Sequence, residues 1–323
     1  MARARRSPAL AAAAAVGALG AAAAVWGIGI ERQLYTVRRA TVPILEPGSE
    51  TIRVLHISDV HMAPWQRRKQ AWIASLTDLD PDFIVNTGDN LGHADGLRGI
   101  RSAFSAFRGV PGVFVHGSND HVAPGPRNPL RYFTGPSKRR TTAEPLDTDA
   151  LDTFMSDTLG WQDVNNAAAS VDVRGHRIDL FGVSDAHCEW DRLDVLPGLV
   201  DELRQGDTDL DGDGFADEGV DRHPLTLGIT HAPYRRVLDA FTGLGADMIF
   251  AGHTHGGQVR LPGYGALVAN CDIPLTQARG LSSWAHGREI PLNVSAGLGH
   301  SIYAPVRFAC LPEVSLLTLA PRE

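Results

Sequence analysis

The chain reads as a series of short apolar runs, each followed by a polar loop that usually contains glycine. Ile52 to Ile57 ("IRVLHI") has the length and character of a buried strand and gives way to "SDVH". "KQAWIASLTDLDPD" then sets Trp72, Ile73, Leu76 and Leu79 at helical spacing and stops before Pro81. "DFIVNTGDN" predicts a second strand and loop, "GLRGIRSAFSAFRG" a helix, and "VPGVFVHGSND" a third strand and loop. Such alternation is the βαβ rhythm of an open sheet with helices packed on its faces. A proline-rich, polar insertion from Ala123 to about Asp163 interrupts it. "SVDVRG" and "RIDLFGVSD" predict a strand pair with His176 at the turn, and "PGLVDELRQ" a helix. An acidic loop, the strands "LTLGIT" and "DMIFAG", and several short strands ending in "EVSLLTLA" complete the chain, without internal repeats.

The N-terminal segment has a different pattern. Arg3, Arg5 and Arg6 precede a stretch with no charge from Ser7 to Ile30 and no polar face. A helix of that length, at ~1.5 Å per residue, reaches roughly 36 Å, enough to cross a ~30 Å hydrocarbon core. Residues 1–30 are therefore either a retained signal-anchor or a cleaved, alanine-rich signal peptide, and the length favours the anchor. The leading arginines favour a cytoplasmic N-terminus with an extracytoplasmic domain, so the expected location is the cell membrane, single-pass, or the exterior if the segment is cleaved. Residues 31–50, closing with "EPGSE", read as a linker, and 51–323 as one globular domain.

Composition narrows the function. A hydrophobic content of 43% allows a sizeable core, and the net charge of -7 argues against a nucleic-acid scaffold. Three cysteines (Cys188, Cys271, Cys310) are too few and too scattered for a disulfide framework or a thiolate metal site.

Candidate chemistry sits where the strands end. The first predicted strand delivers Asp59 and His61, the second Asp89, and the third Asn119 within "GSNDH". Later strands deliver His231 in "THAP", and His253 and His255 in "AGHTHGG". In open α/β sheets, loops at the carboxyl ends of strands gather where ligands bind. Any one of these residues has an ordinary explanation as a loop or cap residue. Seven oxygen and nitrogen donors in this order point instead to a shared metal site.

That order (D-x-H, G-D, N-D, H, G-H-x-H) closely resembles the calcineurin-like metallophosphoesterase superfamily. The resemblance runs from about Arg53 to the C-terminus, and "ISDVH" and "AGHTHGGQVRLPGYGAL" resemble its membrane-associated bacterial branch. It implies an α/β fold of two packed mixed sheets flanked by helices, and hydrolysis of phosphoesters by a hydroxide between two divalent metals ~3.5–4 Å apart. By the same resemblance, Asp59, His61 and His255 hold one ion, Asn119, His231 and His253 the other, and Asp89 bridges. Without thiolates, manganese, iron or zinc all suit the donors. The glycines of "GHTHGG" read as allowing a tight turn and leaving space for substrate.

The third motif departs from the family's G-N-H-D. Asn119 is the ligand if Ser118 is an insertion, whereas Ser118 takes that place without one. The amide is the better donor. The family's leaving-group acid then corresponds to Asp120 or, one place on, His121.

"DTDLDGDGFADE" also fits a calcium-loop spacing, with Asp207, Asp209, Asp211 and Glu218 as donors, or Asp209, Asp211, Asp213 and Asp217 in a second register. The alternative is a solvated acidic turn. Arg127, Arg131, Lys138, Arg139 and Arg140 are candidates for anionic lipid or a second phosphate, or are a solvated loop. Met62 and Trp65 are candidates for acyl-chain contact, or packing. The expected partners are a phosphoester substrate, of lipid or envelope origin, and the membrane, with no protein partner. A non-catalytic metal-binding module and a protein phosphatase are the rival functions.

Overall fold

Side chains of the central strands alternate between two cores, which is why these runs carry almost no polar residues. The computed structural model describes residues 8–125, 144–208 and 224–322. In chain order the strands are β1 (Thr36–Leu45), β2 (Ile52–Ile57), β3 (Phe83–Asn86), β4 (Gly112–Phe114), β5 (Gln162–Asp163), β6 (Ala167–Val173) and β7 (His176–Val183). They continue as β8 (Leu225–Thr230), β9 (Met248–Ala251), β10 (Arg260–Leu261), β11 (Gly265–Ala266), β12 (Gly280–His286), β13 (Arg288–Val294) and β14 (Glu313–Pro321). The helices are α1 (Pro8–Val25), α2 (Arg67–Ala74), α3 (Gly96–Phe104), the single turn α4 (Ser118–His121), α5 (Thr148–Asp152), α6 (Leu196–Thr208) and α7 (Arg235–Gly243).

Two six-stranded mixed sheets form, ordered β1-β14-β2-β3-β4-β5 and β12-β13-β9-β8-β7-β6. Ile52, Val54, Phe83 and Val85 of the first sheet meet Ile178, Leu180, Leu227 and Phe250 of the second in a shared core. Leu55, Ile57, Ile84 and Phe114 face outward onto Ile73 of α2 and Ile100 and Phe104 of α3. Phe181, Val183, Ile249 and Ala251 face the other way onto Val200 of α6 and Val237, Leu238 and Phe241 of α7. The result is the expected helix–sheet–sheet–helix arrangement.

The segment expected to be a linker is folded. Residues 36–45 form edge strand β1, parallel to β14 in a register running from Thr36 opposite Glu313 to Pro43 opposite Ala320. Arg38 does not solvate a flexible tether; its guanidinium makes a two-pronged pair with buried Glu313, at 3.2 and 2.9 Å. Pro43, which lacks a donor, is tolerated because the strand lies at an edge.

Strands β2, β3 and β4 run parallel, as do β7, β8, β9 and β13. Their carboxyl ends carry the loops predicted to hold the donors.

Candidate metal centre

At each strand end the backbone turns sharply, and the donors sit at the turns. Asp59 (φ 48°), His61 (φ 42°), Asp89 (φ 54°), His253 (φ 65°) and His255 (φ 49°) all lie in the left-handed region. Non-glycine residues there cost conformational energy that the surrounding structure must supply, a condition concentrated at functional sites. Glycines make the close approach possible. A Cβ on Gly117 would lie 2.7 Å from both Asp89 Cγ and His231 Cε1, and one on Gly252 would lie 2.6 Å from Asp59 Oδ2.

The predicted donors converge. His61 Nε2 and His255 Nε2 are 3.2 Å apart, and His255 Nε2 is 3.5 Å from Asp59 Oδ1. Asp89 Oδ2 is the meeting point, 3.5 Å from His61 Nε2 and 3.6 Å from His231 Nε2. His253 Nδ1 is 3.3 Å from His231 Nε2, while its Nε2 lies 3.0 Å from the Asn270 amide nitrogen. Asn119, not Ser118, reaches this cluster: its Nδ2 donates to Asp89 Oδ2 at 2.7 Å and its main-chain N–H to Asp89 Oδ1 at 2.9 Å. The Ser118 N–H instead donates to Asp185 Oδ2 at 2.9 Å.

The electrostatics fit a divalent cation. Asp59 Oδ1 and His61 Nδ1 are buried with no hydrogen-bond partner, an expensive state for polar atoms unless a ligand compensates. Burial pushes the Asp59 carboxyl up to about 7, against the pull of His231 and with a push from Asp89. Burial also lowers His61 to about 3 and holds His253 and His255 well below their usual value, so these imidazoles are neutral, as metal ligation requires. His231 is the exception: burial opposes its charge, but Asp89, Asp185 and Asp59 together raise it to about 9. Its Nδ1 lies 2.7 Å from the Thr87 carbonyl oxygen, a contact that fixes Nδ1 as donor and turns Nε2 toward Asp89. A cation held there would take the place of the Nε2 proton.

Several expected roles do not match the geometry. Gly256 and Gly257 leave no room for substrate: a Cβ on Gly256 would lie 2.9 Å from both Ala296 Cβ and Cys310 Sγ, and one on Gly257 2.6 Å from Ala266 Cβ. They permit tight packing behind the histidines. Met62 is fully buried beneath α3, a packing residue, whereas Trp65 is 61% exposed. Asp120 is fully buried, accepting from the Asn90, Leu91 and Gly117 main-chain N–H groups at 2.7, 3.1 and 3.1 Å. Against the cost of burial, His116 holds its carboxyl below the ordinary value, so it is a fixed anion rather than a proton donor. His121 is half-buried, its Nδ1 3.2 Å from Thr148 Oγ1 and its ring edge-on to Trp190 at 5.0 Å. The proposed calcium-loop side chains, Asp207 to Glu218, and the basic cluster, Arg127 to Arg140, lie outside the described residues. All three cysteines are described, and none forms a disulfide.

One pair was missed. Asp185 and His187 follow β7, and the His187 ring lies 4.4 Å from that of His253. Asp185 Oδ1 accepts the His187 N–H at 2.8 Å, and His187 Nδ1 lies 3.0 Å from the Tyr234 hydroxyl. The signal was available: "SDAH" repeats the D-x-H spacing of "SDVH" after another apolar strand.

Residues 52–257 match the model of the calcineurin-like phosphoesterase family. The chain belongs to that family. As a calcineurin-like phosphoesterase it is a metal-dependent hydrolase of phosphoesters, and the cluster of Asp59, His61, Asp89, His231 and His255 is suited to divalent metal. It is 23% identical to the uncharacterized metallophosphoesterase YkuE of Bacillus subtilis (strain 168) over 296 residues, 90% of this chain and 85% of that one. Among solved structures, TT1561 of Thermus thermophilus aligns at a TM-score of 0.39 with 12% identity, covering 77% of this phosphoesterase and 91% of that chain. A 5'-nucleotidase precursor from the same organism aligns at 0.43 with 14% identity, over 84% and 56%.

Buried neutral histidines give the metal-free phosphoesterase an acid-sensitive contribution to stability. His56 and His300, which are not among the proposed ligands, are pushed down by burial to about 3. A base whose folded pKa lies below its unfolded value of ~6.5 contributes fully above that pH and loses the contribution as pH falls toward the folded pKa. The raised carboxyls of Asp59, Asp89 and Asp185 and the raised imidazoles of His116 and His231 act with the opposite sign, five groups against the six lowered histidines His56, His61, His121, His253, His255 and His300. The melting midpoint of chelator-treated protein should drop between pH 7.5 and pH 5. A midpoint that stays level or rises over that range would contradict this balance.

Proposed function

We propose that this phosphoesterase is a membrane-anchored phosphodiesterase with a binuclear centre, acting on phosphoesters of lipid or envelope origin. The observation that carries the reading is the convergence of donors from five separate loops on the two oxygens of Asp89 and the unpartnered Oδ1 of Asp59. Asp59, His61 and His255 would hold one ion, Asn119, His231 and His253 the second, with Asp89 between them. Manganese, iron or zinc suits this set of imidazoles and oxygens. The ions, when bound, supply Lewis acidity toward the phosphoryl oxygens and a hydroxide at neutral pH.

The protein's own groups do the remaining work. The Thr87 carbonyl and Asn270 orient His231 and His253. Asp120 ties the Asn90 loop to α4 and thereby aligns Asp89 with Asn119. With Asp120 held ionised, His121 is the remaining one of the two candidates for protonating the leaving oxygen, although burial first and His116 next hold its imidazole below the usual pKa. A His121→Ala variant should lose far more turnover on alkyl esters than on nitrophenyl esters, whose leaving group needs no proton; equal losses would reject the assignment.

Retention of the apolar segment is supported by its contacts. Gly27 O accepts the Arg307 N–H at 3.2 Å, and buried Glu31 accepts the Cys310 N–H at 2.6 Å. Residues Ala9–Gln33 are long and apolar enough to span a bilayer. Metal analysis of the purified chain, followed by turnover of bis-nitrophenyl phosphate with added manganese, tests the reading. Absence of both bound metal and turnover would discard it.

A further inference from the structure

The foot of the apolar segment and the candidate metal centre lie at one pole of the domain. β1 begins with Thr36 opposite Glu313, and Ser315 of the same β14 lies opposite His56 near the end of β2. The chain leaving the apolar segment thus enters the sheet at the end where β2 delivers Asp59 and His61. Arg307 closes the remaining gap. Its main chain bonds Gly27, and its Nη2 lies 3.5 Å from His255 Nδ1. Contact is close, because a Cβ on Gly27 would lie 2.7 Å from the Arg307 carbonyl oxygen.

Around this foot the domain exposes large apolar side chains. Leu261 (50% exposed) and Tyr264 (73%) belong to the β10–β11 hairpin, Tyr303 (47%) to the loop that carries Arg307, and Trp26 (44%) to the segment itself. The hairpin is tied to that loop: the Arg260 N–H donates to Phe308 O at 2.8 Å, and Gln258 Nε2 to Ala304 O at 3.0 Å. A cavity of about 490 Å³ opens between Trp26 and Pro262, lined also by Arg38 and Arg279. Exposed aromatic and aliphatic residues beside arginines are the composition of a surface that meets lipid headgroups.

We infer that this pole is a membrane-contact face. Leu261, Tyr264 and Tyr303 enter the interfacial layer of the bilayer that holds the apolar segment. The metal centre therefore lies near headgroup level, on the side of an amphiphilic phosphoester in the adjacent leaflet. The inference rests on the anchored reading above, not on the identity of the metal. Its occupant is the bilayer because the face is continuous, through Gly27 and Arg307, with the one segment of the described residues able to span it.

The full chain, reconstituted in phosphatidylcholine–phosphatidylglycerol vesicles with or without acyl-brominated lipid, tests this by tryptophan fluorescence. Leu261→Trp and Tyr264→Trp report the face. Glu46→Trp reports the opposite pole, since Glu46 follows the far end of β1. An interfacial side chain lies ~5–10 Å into the headgroup–acyl boundary, so the added emission at 261 and 264 should fall by roughly half on bromination. The added emission at 46 should not change. Protein that floats with the vesicles while 261 and 264 stay unquenched would overturn the contact face and leave the anchor standing, whether water or a second copy covers the hairpin. Protein that fails to float would overturn the anchor and the face together.

Discussion

Replacing Asp89 by Asn will remove at least about a hundredfold of diester turnover, because a divalent centre contributes several kcal/mol of charge stabilisation and each ~1.4 kcal/mol is a decade of rate. Asp89 Oδ2 is approached by His61, His231 and Asn119, and Oδ1 takes the Asn119 N–H. Asparagine preserves the shape and tolerates the left-handed backbone at this position (φ 54°), so the change isolates the charge. In the proposed binuclear centre, the buried donors around it would then lack the anion that offsets two cations. Metal content should fall with the rate while the circular dichroism spectrum is retained. A variant with full metal content and turnover within tenfold of the parent would refute the assignment of Asp89 as the bridge.

The second large effect is on stability. Arg307 is fully buried, and among the described residues no carboxylate lies within ion-pair distance of it. Its guanidinium instead donates to the carbonyls of Ala296, Gly297 and Gly299 at 2.7, 3.0 and 2.7 Å, and toward Cys310 O at 3.4 Å. Truncation leaves the Ala296 and Gly299 carbonyls without this donor, while Gly297 O keeps the Glu313 N–H at 3.0 Å. Each buried carbonyl so exposed costs about 1–3 kcal/mol, against a total of about 5–15 kcal/mol for a domain. Arg307→Met should therefore lower the urea midpoint severely or prevent accumulation of folded protein. Arg307→Lys should recover only part, since one ammonium cannot reproduce the planar fork. The disturbance should reach the metal loop, because Gly299 N–H donates to Asp59 O at 2.6 Å and a Cβ on Gly297 would lie 2.5 Å from Asp59 Cβ. An Arg307→Lys protein with parental midpoint and metal affinity would show that the carbonyl cluster is satisfied without the fork.

What was legible in the chain follows from how strongly each feature marks the sequence. Strands buried on both faces leave largely apolar runs, so β2, β3, β8 and β9 and the loops after them could be placed in advance. β1 could not: its Arg38 and Arg39 look like solvated linker charges until Glu313, far along the chain, is seen to pair with Arg38. Arg307 was equally silent, because nothing in "APVRFAC" distinguishes a buried arginine from a surface one. The functions of glycine were misplaced for a related reason. Gly117 and Gly252 approach the donors from distant loops, whereas the conspicuous pair beside the histidines packs against Ala266, Ala296 and Cys310.

The left-handed turns at Asp59, His61, Asp89, His253 and His255 also bear on how such a site can drift over generations. Asn, Asp and His are the non-glycine residues most tolerant of that backbone, so metal affinity and chain geometry favour the same small alphabet. A descendant that abandons hydrolysis is therefore expected to carry Gly or Asn at these five places before it carries Ala, Val or Leu. Its loops would keep their shape after the chemistry had gone.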